Sequence, residues 1–150
     1  MTGLAIGATV ANPFIGVPAA ILMHFAGDLV PHWDFYSNTS NEERRVGWRP
    51  LAVMADLILG VALGLTCTLF ALWVKNDPSL AMNIFLCGIG SVIPDALEGP
   101  HIYLHKEPKI LKLISSTQSK LQFQAPLPWG IISQLLIMFF SLLVISNSLI

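Results

Sequence analysis

Met23-His24-Phe25-Ala26-Gly27-Asp28-Leu29-Val30-Pro31-His32-Trp33-Asp34 closes an otherwise apolar run with two imidazoles and two carboxylates. Ionisable groups at membrane depth are costly unless something binds them, so they mark a functional site by default. On a helix His24, Asp28 and His32 fall at i, i+4 and i+8, with a drift of only about 40° per step, and line one face. Pro31 bends or ends that helix, so His32-x-Asp34 is expected on a final turn that folds back toward the others. Imidazole nitrogens beside carboxylate oxygens suit zinc first, with manganese and iron as alternatives.

The surrounding chain explains why depth matters. Its 150 residues allow one domain, and 54% hydrophobic with 11% charged residues is far more apolar than a soluble globule. The mean hydropathy of +0.67 agrees. A net charge of -1 offers no long-range attraction for nucleic acid, and no basic stripe with interleaved aromatics is present. Cys67 and Cys87 stand alone inside apolar segments without C-x-x-C spacing, and read as small buried apolar residues. Met1-Thr2-Gly3-Leu4 carries no basic region, so no cleavable signal peptide is expected.

These patterns predict a single all-α integral membrane domain over 1–150. Asn12-Pro13, Gly16 and Pro18 interrupt the first apolar run. Residues 2–11 are then an N-terminal half-helix or re-entrant helix, too short to span, and about 14–34 is the first transmembrane helix. Three further spans are expected at about 51–74, 80–104 and 127–150, making about four. Asn76-Asp77-Pro78-Ser79 is a tight turn, and Pro126-Leu127-Pro128-Trp129 opens the last span. Between them, Lys109, Lys112 and Lys120 beside Ile110, Leu111, Leu113, Ile114 and Leu121 predict an interfacial amphipathic helix at about 109–121. Lys and Arg concentrate in 36–50 and 105–124, whereas the 75–79 turn holds only Lys75. The positive-inside rule puts both long loops in the cytoplasm.

That topology brings the polar residues of four spans to one leaflet. His24, Asp28, His32 and Asp34 lie toward the cytoplasmic end of the first, and Asp56 about two turns into the second. Asp95, Glu98, His101 and His105 occupy the cytoplasmic half of the third, and Gln134 lies about two turns into the fourth. No Lys or Arg inside the spans neutralises the acids. His24, Asp28, His32, Asp34, Asp56 and Asp95 are therefore the candidate metal ligands, for one or two ions. Glu98 is a candidate ligand or general base, and Gln134 an orienting donor or an interhelical hydrogen bond. His101 and His105 fit an interfacial role equally well. Gly60-x-x-x-Gly64 permits close helix packing, within the chain or between chains.

The string His24-x-x-x-Asp28-x-x-Pro31-His32-x-Asp34 with the later Ile93-Pro94-Asp95 resembles the small bacterial membrane proteins grouped as YdjM-like metal-dependent hydrolases. A looser likeness is to the zinc-dependent phospholipase C fold, whose helices also supply His and Asp in H-x-x-x-D spacing. The resemblance extends through scattered residues from Thr2-Gly3 to Trp129-Gly130 and Gln134. It implies a bacterial inner-membrane hydrolase with His24, Asp28, His32, Asp34 and Asp95 as metal ligands; Asp56 rests on position. The segment 106–124 lacks a further histidine and has Gln118 and Gln122 instead, a departure from a complete two-metal site. The expected chemistry is attack by a metal-activated water on an ester or phosphoester of a lipid-like substrate. Two other uses of the same residues are a transit site in a divalent-cation transporter or channel, and a structural metal that staples helices.

Overall fold

The computed structural model describes residues 1–35, 39–103 and 109–150, with only the backbone described at residues 41, 98, 100–103, 110, 112, 114, 115, 117 and 118. The chain order is α1 (Thr2–Thr9), α2 (Pro13–Asp28), α3 (Asn41–Arg44), α4 (Arg49–Trp73), α5 (Pro78–Tyr103), α6 (Lys109–Leu121) and α7 (Trp129–Leu149). Among the described residues there is no strand, and His32 and Gln124 form an isolated parallel bridge. The expected all-helical class holds.

Local chemistry sets the boundaries. Asn12 caps α2, its side chain accepting from the Phe14 amide at 2.9 Å, and Pro13 occupies the first turn where its missing N–H is not needed. Asp77 does the same for α5, accepting from the Leu80 amide at 2.9 Å ahead of Pro78. Between α4 and α5 the chain reverses through Asn76 at φ 52°, a left-handed conformation that asparagine tolerates. Ser40 and Glu43 form a reciprocal capping box on α3.

Arg49–Trp73, Pro78–Leu97 and Trp129–Leu149 are long and apolar enough to cross a bilayer. α2 is shorter: its 16 residues reach about 24 Å. Leu57, Ile58, Leu135, Phe139 and Phe140 are among many large apolar side chains left exposed on α4 and α7. A surface of that kind suits lipid rather than water.

α5 is the element on which the others assemble, packing against α1, α2, α4 and α6. α1 crosses it at backbone contact. A Cβ on Gly7 would lie 2.6 Å from Ile84 Cα and 2.7 Å from the Asn83 carbonyl oxygen, and one on Gly3 2.8 Å from the Cys87 carbonyl oxygen. Leu4 enters the resulting core with Ala71, Ala81, Ile84, Ile145 and Leu149. The buried Asn83 amide donates to the Ala11 carbonyl at 2.7 Å and the Val10 carbonyl at 3.4 Å, fixing the α1–α2 turn near the start of α5. α2 then returns alongside α5: a Cβ on Gly16 would lie 2.9 Å from Cys87 Sγ, and one on Gly90 3.2 Å from Val17. Parallel to each other, α2 and α5 carry their last turns to the same end of the bundle.

The glycine pair in α4 behaves differently. A Cβ on Gly60 would meet nothing within 4 Å, and one on Gly64 only the Leu4 side chain at 3.7 Å. Gly60 and Gly64 therefore do not make a backbone-close packing within this chain.

Candidate metal centre

Small residues decide how close α2 and α5 come, and that closeness brings three polar side chains together. His24, near the end of α2, places Nε2 3.7 Å from Asp28 Oδ2 on its own helix and 3.4 Å from Asp95 Oδ1 on α5. Asp95 follows the buried Pro94. The His24 and Asp28 side chains are largely enclosed, at 11% and 15% exposure, and Asp95 is open at 61%. Among the described residues Asp28 Oδ2 is buried without a hydrogen-bond partner. Such an atom forgoes solvation that a partner or ion must replace.

His32 and Asp34 reach this region by a route other than the expected one. α2 ends at Asp28, and after Pro31 the chain runs extended instead of completing a further helical turn. The physical reason is twofold: proline cannot continue the helix, and the segment finds backbone partners elsewhere. The Phe123 amide donates to the Asp28 carbonyl at 2.8 Å, the His32 amide to the Phe123 carbonyl at 3.0 Å, and the Ala125 amide to the His32 carbonyl at 2.8 Å. The far side rests on α7, where the Ser133 hydroxyl donates to the Pro31 carbonyl and the Gln134 amide to the Trp33 carbonyl at 2.9 Å. Gly130 permits this seat, since a Cβ there would lie 2.6 Å from the Trp33 nitrogen.

His32 and Asp34 lie within electrostatic range of the Asp28 carboxylate, as do His24 and Asp95. His32 Nδ1 lies 2.9 Å from the Val30 carbonyl oxygen. With its proton on Nδ1 the ring donates there and leaves the Nε2 lone pair available, the usual arrangement of a metal-binding imidazole.

The other candidates are placed less centrally. Asp56 is exposed on α4, near the Met1 amino group, and among the described residues no hydrogen bond or ion pair joins it to His24, Asp28 or Asp95. Gln134 spends its amide on the Trp33 carbonyl, so its observed task is to position the His32 segment. The Glu98 and His101 side chains, and His105 altogether, lie outside the described residues, as does the Gln118 side chain. Ser133 and the 123–125 strip were not singled out by sequence reasoning, and Gly130 was named only within the resemblance. The visible signal was Gly130 directly after Trp129, where a helix start meets a residue without a side chain.

Among the described residues no three His, Cys, Asp or Glu side chains are placed to hold a metal ion as they stand. The donor chemistry nevertheless fits a divalent cation pair by pair. With bonds of about 2.1 Å, two ligands of a tetrahedral ion stand about 3.4 Å apart. His24 meets Asp95 at 3.4 Å and Asp28 at 3.7 Å, with one carboxylate oxygen buried and unsatisfied. Compared with protein-family models, curated proteins and solved structures, the chain matches none.

Proposed function

We propose that this chain is a membrane-embedded, metal-dependent hydrolase acting on an ester or phosphoester of a lipid-like substrate at the cytoplasmic leaflet of a bacterial inner membrane. The observation that carries the reading is His24 Nε2 standing between the Asp28 and Asp95 carboxylates, with Asp28 Oδ2 buried and unsatisfied. Four crossings follow if α2, extended by residues 29–34, joins the three longer helices. The loops 36–50 and 105–124 then face the cytoplasm, with α6 lying along the interface.

In this reading His24, Asp28 and Asp95 hold the cation, and His32 and Asp34 complete the set or serve a second one. Asp56 is the outlying candidate, reserved for a second ion. A divalent cation held there, zinc before manganese or iron, supplies Lewis acidity and a nucleophilic water at neutral pH. The chain's own residues do the rest. The i, i+4 spacing sets Asp28 beside His24 on one helix face, and the open Asp95 faces an arriving substrate. Gln134 and Ser133 hold the His32–Asp34 segment in register. Glu98, one turn beyond Asp95 on α5, is assigned as the general base.

The test is metal content of detergent-purified protein by elemental analysis, beside the double variant His24→Ala, Asp28→Ala checked for helicity. The expected result is about one or two equivalents of a transition metal in the wild type and a loss of about tenfold or more in the variant, as for other deletions around a metal site. Equal content in both, or a wild type that cannot be loaded, overturns the reading. A loaded protein with closed fourfold coordination and no hydrolysis of lipid esters would make the metal a staple.

A further inference from the structure

Beside the polar group lies a groove that the chemistry above does not use. It measures about 350 Å³ and is formed where α1 packs against both α2 and α7. Its α7 wall is Ile137, Phe140, Ser141 and Val144, spaced i, i+3, i+4 and i+7 on one helix face. Opposite stand Thr2, Ala5 and Ile6 of α1 and Met23 of α2. Met23 and Phe140 are 41% and 60% exposed, so the groove opens sideways, outward from the bundle.

Both of its long walls lead to the polar end. Met23 immediately precedes His24 in α2. On α7 the same stripe continues one turn back to Ser133 and Gln134, which hold the Pro31 and Trp33 carbonyls. From Val144 to Ile137 the groove follows the helix for about 10 Å and stands open along that length. A single hydrocarbon chain fits. Apart from Thr2 and Ser141 the lining is apolar, so the groove offers water few partners.

We infer that the groove seats one acyl chain of a membrane lipid, entering sideways from the bilayer, so that the linkage to its headgroup comes to His24, Asp28 and Asp95. The hydrolase reading supplies what happens to that linkage; the seat itself stands on the groove. It narrows the substrate class to a lipid bearing a long acyl chain, which a soluble ester would not satisfy.

The experiment reconstitutes the full chain in phosphatidylethanolamine and phosphatidylglycerol vesicles doped with a phospholipid that carries a diazirine on its acyl chain. After illumination, adducts are located by mass spectrometry. Ile58, exposed on α4 away from the groove, is the control for ordinary lipid contact. Adducts on Met23 and Phe140 should exceed those on Ile58 about tenfold, equivalent to ~1.4 kcal/mol. Ile137→Trp, which fills the groove, should bring them down to the Ile58 level, while Ile137→Leu should leave them in excess. Even labelling of the three positions in the wild type overturns the seat, and so does labelling that a folded Ile137→Trp protein leaves unchanged. The wild-type comparison decides the matter even where the tryptophan variant misfolds. Failure of the two readings is distinguishable. Groove adducts in a protein that binds no metal and cleaves nothing remove the hydrolase and keep the seat; cleavage of a short-chain soluble ester with even labelling does the reverse.

Discussion

Two G-x-x-x-G pairs, Gly3 with Gly7 and Gly60 with Gly64, occupy very different places. The first presses backbone to backbone against α5, where an added Cβ on Gly7 would sit 2.6 Å from Ile84 Cα. The second is loosely placed on α4, with nothing near Gly60 and only the Leu4 side chain near Gly64. Spacing alone puts two small residues on one helix face; only the neighbour's approach makes that face an interface. Here the neighbour of Gly3 and Gly7 is α5, which brings small residues of its own, Cys87 and Ser91, to the crossing.

The largest effect that would break the contrast is at Gly7. Gly7→Ala is expected to cost about 3 kcal/mol, in the range of overpacking a tight contact, because the Ile84 and Asn83 atoms it would meet are backbone and cannot rotate away. Unfolding in mixed detergent measures it, and an unaffected midpoint would mean that α1 is not held at this distance. Next comes Asn83→Ala, which strands the Val10 and Ala11 carbonyls of the α1–α2 turn; a loss of about 1–2 kcal/mol is expected by the same assay. The smallest is Gly60→Ala. On an open helix face alanine should be neutral or stabilise by up to about 1 kcal/mol. A clear destabilisation at Gly60 would show that a second surface covers α4, and would sharpen the contrast into one between an internal and an external interface.

Much of the architecture was legible. Asn12-Pro13 and Asp77-Pro78 pair a cap with a first-turn proline, and both start helices for that reason. Polar residues widely separated in the chain were expected at one end, and His24 meets Asp95 there. What was not legible depended on distant partners. Pro31 announces that a helix stops without saying where the chain goes next; that direction comes from Phe123, Ala125 and Gly130, about 90 residues later. Asp56 was expected at the depth of the others along the bundle axis, but depth says nothing about azimuth, and its side chain is exposed on α4. Gln134 likewise was placed at the right end of α7, yet its amide was already committed to a backbone carbonyl.

The central position of α5 also has a consequence for biosynthesis. The carbonyls of Val10 and Ala11 find their donor only when Asn83 emerges, 73 and 72 residues later. At ~5–20 residues per second the nascent α1–α2 hairpin therefore waits about 4–15 s for the helix that receives it. Until then the Gly3–Gly7 face lacks the α5 surface it packs on, and the turn lacks the Asn83 amide that ties it to the bundle.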